Sequence, residues 1–271
     1  MVHRIHKVTF KLLRICIILG ACYVLFCGAL YFNQERLIFH PEVLPPGFRF
    51  SFTEPFSEIA LPVDGAALSA VHFRCERPRG VVLYLHGNTG NIQNWATEAS
   101  TFLTRGYDAF FFDYRGFGKS TGKLTREASL LTDARAAYRY LRERYGDDRI
   151  VVYGRSLGTG PAAYLAATFA PRALVLEAPY YSMQDMARRE YPFVPGFILK
   201  YPLRTDRWVS SVRCPVYLFH GTADTVIPHS SSIRLENIIG GRGHLVILEG
   251  GQHDGLGNYT RYHEVLNRIL E

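Results

Sequence analysis

The chain has 271 residues, 48% hydrophobic and 20% charged, with 24 Gly and 14 Pro. This composition excludes a disordered tail, a collagen-like repeat and a disulfide-dense mini-protein, and the length suits one sizeable domain. The formal charge of +7 is no nucleic-acid signature, because residues 1–36 alone hold a net +4 (Arg4, Lys7, Lys11, Arg14 and Arg36 against Glu35), leaving +3 for the rest.

Residues 15–32, ICIILGACYVLFCGALYF, carry no charge. As a helix they extend roughly 27 Å, close to a hydrocarbon core of about 30 Å. Leu12 and Leu13 lengthen the run, with Lys11 and Arg14 able to snorkel toward headgroups. A transmembrane anchor is therefore predicted within residues 1–32. The basic residues precede the span, which puts the N-terminus in the cytoplasm and the remainder on the non-cytoplasmic side of a single-pass membrane protein. Competing readings are a cleaved signal peptide ending near Cys27-Gly28-Ala29, a lipoprotein signal at Leu19-Gly20-Ala21-Cys22, and a buried core helix. Five cysteines make no even disulfide framework. Cys75 and Cys214, outside the apolar run, are either one bridge or two thiols.

Residues 33–58, with Pro41, Pro45, Pro46 and Pro55 among aromatics, suit an ordered juxtamembrane connection rather than a flexible linker. Beyond it, strands are predicted at 59–62, 68–74, 81–86, 108–113, 149–153, 173–177, 216–220 and 244–248. Runs such as VVLYLH and AFFFDY are apolar without alternation, as in strands covered on both faces. Helical patterns fall at 95–105, 126–145, 157–169, 229–239 and 259–270. In the second, Ala128, Leu131, Ala134, Tyr138 and Leu141 supply the apolar stripe. Alternation of strands and helices predicts an α/β fold with a doubly wound, mostly parallel sheet over residues 59–271. Residues 179–213, rich in Tyr, Pro, Phe and Arg, break the alternation. They are predicted to form a short cap above the carboxyl ends of the strands, where such sheets bind ligands.

The chemistry sits at strand ends. Gly154-Arg155-Ser156-Leu157-Gly158 follows the strand RIVVY and precedes a helical stretch. A sharp strand-to-helix turn exposes Ser156 as a nucleophile, and glycines two positions away on either side avoid collisions. A serine hydroxyl needs a base, and the base an orienting carboxylate. Asp224, in HGTAD after the strand VYLF, and His253, in GGQHD after HLVILE, are the candidates, with Glu177 the rival acid. Oxyanion donors are expected from the backbone N–H groups of Leu157 and of Asn88, the latter in His86-Gly87-Asn88-Thr89-Gly90-Asn91. His86 is expected to pack or hydrogen-bond rather than act as a second base. Spacing for a metal site and a phosphate-cradling glycine loop are both lacking, so no cofactor is expected.

Taken in order, HGNTGN, DYRGFGKS, GRSLG, HGTAD and GGQHD resemble the alpha/beta-hydrolase superfamily over about residues 59–270. Within it the chain is similar to the branch of membrane-anchored serine hydrolases with an HGN-x-GN oxyanion loop, grouped with serine aminopeptidase-type domains. Such members often carry an apolar anchor followed by a segment like QERLIFHP, here 34–41. The resemblance implies Ser156, Asp224 and His253 as triad, Asn88 and Leu157 as oxyanion hole, and a structural turn at Asp113-Tyr114-Arg115-Gly116. The expected activity is hydrolysis of an acyl ester or thioester of a small-molecule or lipid-like substrate. A peptidase using the same triad and a non-catalytic membrane scaffold are the alternatives.

Overall fold

The apolar run VVLYL lies at the centre of the structure because both of its faces are covered. A computed structural model describes the backbone from Val2 and the side chains from Thr9 onward. It begins with a single helix, α1 (Val2–Ile38). From Thr9 to Ile38 this helix is long and apolar enough to cross a membrane, and no residue of its apolar window is fully buried. It extends one and a half turns past the expected end at residue 32, because Asn33 to Ile38 contains no Pro or Gly to stop it.

Next come β1 (His40–Pro41), β2 (Phe56–Val63), β3 (Ala66–Phe73), β4 (Gly80–Leu85), β5 (Thr89–Gly90), α2 (Ile92–Trp95), α3 (Ala99–Leu103) and β6 (Tyr107–Phe112). The second half contains α4 (Glu127–Tyr145), β7 (Ile150–Arg155), α5 (Thr159–Thr168), β8 (Ala173–Glu177), α6 (Met183–Glu190) and α7 (Thr205–Val209). It ends with β9 (Val216–Gly221), α8 (Ser230–Ile239), β10 (Gly243–Leu248) and α9 (Thr260–Ile269).

Eight strands form one sheet in the order β10-β9-β8-β7-β4-β6-β3-β2. Its six strands from β6 to β10 are parallel, with Val81 of β4 beside Asp108 of β6 and Ile150 of β7. β2 and β3 add an antiparallel edge. Asp64-Gly65 makes that hairpin, with Gly65 at φ 70°, the left-handed geometry a tight turn demands. Two apolar cores result, one per face. Leu83, Phe110, Leu130, Tyr138, Val152 and Leu174 belong to one. Val82, Tyr84, Phe111, Val151, Val175 and Leu266 belong to the other. These alternating assignments along each strand follow the two-residue period.

The stripe of α4 differs from the expected one. Leu130, Ala134, Ala137, Tyr138 and Leu141 are buried, whereas Ala128 is exposed and Leu131 only half-buried. The helix buries the face shared by 130, 134, 137, 138 and 141, which the i, i+3, i+4 spacing also fits. The 95–105 helix is two short pieces, Ile92–Trp95 and Ala99–Leu103, joined by a 3-10 turn. Cys75 and Cys214 are free thiols; burial pushes the Cys214 thiol up to about 11.

Residues between β8 and β9 hold α6 and α7. Ala178 and Leu203 bracket most of this insertion at φ 48° and 35°. Positive φ in a non-glycine residue is costly, so the chain enters and leaves the insertion through strained turns. The Leu203 N–H donates to Glu127 Oε1 at 2.6 Å, which fixes one of them.

Candidate active site

β7 ends in a sharp turn. Ser156 has φ 50°, and a 3-10 turn over Ser156–Gly158 leads into α5. The flanking glycines are required by close approach. A Cβ on Gly158 would lie 2.0 Å from the Leu85 carbonyl oxygen, and one on Gly154 would lie 2.5 Å from the Gly158 oxygen. The turn thus lifts Ser156 above the carboxyl edge of the sheet at the start of a helix, where backbone N–H groups lack intrahelical acceptors.

Two loops meet Ser156 there. The Ser156 Oγ lies 3.0 Å from His253 Nε2, and His253 Nδ1 lies 2.8 Å from Asp224 Oδ2. An ionised carboxylate only accepts, so Nδ1 carries the proton and Nε2 accepts from the Ser156 hydroxyl. Asp224 is itself tied down. Its Oδ1 accepts from the N–H groups of Val226 and Ile227, both at 2.8 Å. Burial pushes its carboxyl up, but hydrogen bonds from His220, His253 and Ile227 outweigh burial and hold it below the usual range. The structure therefore joins Ser156, His253 and Asp224 in one hydrogen-bonded chain.

His220 is a partner the sequence did not flag. It is fully buried at the end of β9. Its Nε2 is 3.2 Å from Asp224 Oδ2 and 2.9 Å from the Ile227 oxygen, and its Nδ1 is 2.6 Å from Ser232 Oγ. Nε2 faces two acceptors and must carry the proton; Nδ1 then accepts from Ser232. The i, i+4 spacing in HGTAD was the available signal.

The rival acid Glu177 is turned to other work. Its carboxylate accepts from Tyr153 OH and pairs with Arg155 at 3.3 Å. Asp254, beside His253 in sequence, pairs with the same guanidinium at 2.7 Å. Arg155 also lies over the Trp95 ring at 5.0 Å. Desolvation alone would lower the Arg155 pKa, but the carboxylates around it raise it above its ordinary value.

The glycine loop after β4 packs directly on the turn: a Cβ on Gly87 would come 3.9 Å from the Ser156 Cβ. Asn88 and Leu157 both line the cavity above Ser156. The Asn88 side chain donates to the Ile38 oxygen at 2.8 Å, and its own carbonyl accepts from the His40 N–H at 2.8 Å. Paired strands β1 and β5 continue the same seam. The loop is thus braced by the segment that leaves α1. His86, as expected, is a packing residue, buried between the rings of Tyr114 and Trp95. Burial lowers its pKa to about 4.

The cavity has a volume of about 510 Å³. Ser156 and His253 are at its base; α6, residues 194–199 and the last turns of α1 enclose it. Among the cap aromatics, Tyr180 is buried and donates to the Leu157 oxygen at 3.0 Å. Tyr181 is half-buried under Arg234, whose guanidinium lies 3.5 Å from the ring. Phe193 and Phe197 remain exposed. Among the described residues, no group of three or more His, Cys, Asp or Glu side chains forms a metal-binding cluster.

A doubly wound sheet with a glycine-flanked serine turn, and histidine and aspartate loops from later strands, defines a class. The chain belongs to the alpha/beta-hydrolase family. The family model described as the alpha/beta hydrolase fold matches residues 80–211. An uncharacterized protein of Mycobacterium tuberculosis is 32% identical over 210 residues, covering 75% of this chain and 74% of that relative. The lysophosphatidylserine lipase ABHD12 of Danio rerio is 32% identical over 183 residues, or 58% of this chain. The present chain spans about half of that lipase's length, 47%. Among solved structures, the Pyrococcus furiosus esterase Pf2001 superposes with a TM-score of 0.69 at 20% identity, covering 86% of this chain and 98% of that one. Est1E from Butyrivibrio proteoclasticus gives 0.64 at 21% identity, covering 78% and 96%. Both likenesses concern the fold.

Proposed function

We propose that the protein is a membrane-anchored serine hydrolase that cleaves an acyl ester or thioester. The observation that carries this reading is the hydrogen-bonded chain from Ser156 through His253 to Asp224 at the base of a largely apolar cavity. Ser156 Oγ attacks the acyl carbonyl carbon while its proton passes to His253 Nε2. Asp224 holds the imidazole in the accepting tautomer and stabilises the imidazolium. The N–H groups of Leu157 and Asn88 donate to the oxyanion. Collapse of the tetrahedral intermediate breaks the bond to the alcohol or thiol, which departs with the proton from His253. Water then repeats the sequence on the acyl-enzyme, regenerating Ser156 and releasing the acid.

The reading includes the anchor. α1 crosses the membrane with Lys11 and Arg14 on the cytoplasmic side, and the folded domain lies on the other side. The lipase named among the relatives acts, by its name, on a lysophospholipid, which agrees with an amphiphilic acyl substrate. Fluorophosphonate labelling of the wild type and of Ser156→Ala tests the chemistry. The wild type is expected to label and the variant to stay unlabelled while folded. An unlabelled wild type, or equal labelling of the two, rejects Ser156 as nucleophile. Protease accessibility in intact cells and carbonate extraction test the orientation and the anchor.

A further inference from the structure

Residues 191–199, YPFVPGFIL, form an uncharged stretch between α6 and Lys200. Val194, Pro195, Ile198 and Leu199 are half-buried, but the two phenylalanines are not packed on the domain. Phe193 is 72% exposed and Phe197 is 88% exposed, an unusual display for aromatic side chains in water. The stretch runs instead along α1. Tyr23 OH donates to the Phe193 oxygen at 2.7 Å, and Gln34 Nε2 donates to the Ile198 oxygen at 2.7 Å. Gln34 Oε1 accepts from the Lys200 N–H at 2.8 Å, and the Lys200 ammonium reaches Glu35 at 3.1 Å. The portion of α1 from Tyr23 to Gln34 is roughly 16 Å long, so the stretch reaches well inside the uncharged part of the helix.

Much of its backbone, though not the N–H groups of Phe193, Gly196 and Phe197, is satisfied by protein. The N–H groups of Tyr191, Val194, Ile198 and Leu199 bond within α6 or the stretch itself. Pro192 and Pro195 have no N–H to satisfy. The carbonyls of Phe193 and Ile198 are taken by α1 side chains. Irregular backbone at membrane depth is tolerated where protein satisfies its polar groups. Moreover, this stretch and α1 both line the cavity above Ser156, Leu30, Leu37 and Ile38 from α1 and Val194, Ile198 and Leu199 from the stretch.

We propose that residues 191–199 insert into the leaflet that α1 crosses, and that the cavity between them receives the acyl chain of a membrane-resident amphiphile. α1 is then one wall of the substrate site as well as a tether. The carbonyl end of the amphiphile meets Ser156 while its chain stays between α1 and the cap, so the molecule need not pass through water. This inference rests on the serine-hydrolase reading for its chemistry and on α1 as a membrane span for its geometry.

Two measurements on the full-length protein in phosphatidylcholine vesicles test it. In the first, Phe197→Trp is compared with wild type in vesicles with and without brominated acyl chains. The added tryptophan is expected to be quenched beyond the background of Trp95 and Trp208. An unquenched Trp at 197 overturns insertion, whatever the activity. In the second, Ser156 is labelled with a hexadecyl and with a butyl fluorophosphonate, and the ratio of rates is read. Leu30→Trp, which fills the cavity from the α1 side, is expected to lower that ratio about tenfold, the equivalent of two buried methylenes. Leu25→Trp, on α1 but outside the cavity, is expected to leave it unchanged. An unaltered ratio in Leu30→Trp overturns the acyl site. Failure of both probes on the wild type rejects the hydrolase reading instead, and the quenching result still decides insertion.

Discussion

Replacing Asp224 by Asn isolates the electrostatic part of the proposed mechanism, because the side-chain shape hardly changes. The structure fixes what the amide must do. Asp224 Oδ1 accepts from two backbone N–H groups, those of Val226 and Ile227. Oδ2 faces His253 Nδ1 at 2.8 Å and His220 Nε2 at 3.2 Å. If the amide oxygen stays with the two backbone donors, its NH₂ points at both imidazoles. His253 then presents Nδ1 as an acceptor and carries its proton on Nε2, where it can no longer take the one on Ser156. His220 cannot adapt in the same way, since its Nε2–H also serves the Ile227 oxygen at 2.9 Å. If the amide flips, its NH₂ meets the two backbone N–H groups instead. The first orientation costs less, and it is the inactive one. Loss of the accepting tautomer is expected to lower kcat by about 10⁴, or about 5.4 kcal/mol of barrier. Stability at neutral pH is expected to fall by only about 1–3 kcal/mol, the scale of charge-assisted hydrogen bonds. The native carboxyl sits below its ordinary pKa, so its contribution is present at neutral pH and drains away only as pH falls through the acid range. Turnover of a p-nitrophenyl ester and thermal unfolding read the two effects. Activity within tenfold of wild type in a folded Asp224→Asn protein would falsify the assignment of Asp224.

Glu177→Gln is expected to reduce kcat less than about tenfold, because its carboxylate serves Tyr153 and Arg155 and no triad tautomer depends on it; kinetics with the same ester compare it directly with Asp224→Asn. Arg115 grips the fully buried Asp133 through Nε at 2.8 Å. Arg115→Met is expected to cost about 3–5 kcal/mol in denaturant unfolding, and Arg115→Met with Asp133→Leu to recover most of it, since the loss comes from a buried unpaired charge; equal losses in both would assign the cost to packing. Burial lowers the His86 pKa from 6.5 to about 4. The unfolded chain takes up a proton over that window while the folded one does not, so stability is expected to fall by about 3 kcal/mol as pH drops through it. His86→Gln should lack that part of the slope in unfolding measured between those pH values.

The central strands of the sheet were legible because burial on both faces leaves continuous apolar runs, and VVLYL or AFFFDY can hardly serve elsewhere. The antiparallel edge had only Asp64-Gly65 as a turn signal. The stripe of α4 was misplaced by a small rotation, since Leu130 and Leu131 both satisfy helical spacing with Ala134 and only packing on the sheet chooses Leu130. At the candidate site, the residues singled out in advance were those at strand ends with unusual backbone needs, such as Ser156 between Gly154 and Gly158. His220 escaped because its i, i+4 spacing to Asp224 does not by itself show a contact, and its role depends on Ser232 and Ile227 closing around it.

The contribution of α1 to the cavity was illegible for a different reason. Gln34 and Glu35 stand just after the apolar run, and Lys200 lies far along the chain in the cap, so nothing local links them. Their pairing spans 165 or 166 residues of sequence, and only the fold brings them together. Once joined, they change what the helix can be. A tether needs length and hydropathy alone, and any apolar sequence of that length would serve. A helix whose last turn is bonded to Asn88, the residue proposed to donate to the oxyanion, is constrained at particular positions. Gln34 must reach two backbone groups of the cap, and Leu30, Leu37 and Ile38 must leave room for the cavity. In the proposed arrangement the length of α1 answers to the bilayer, whereas the identity of the residues on its inner face answers to the cavity around Ser156.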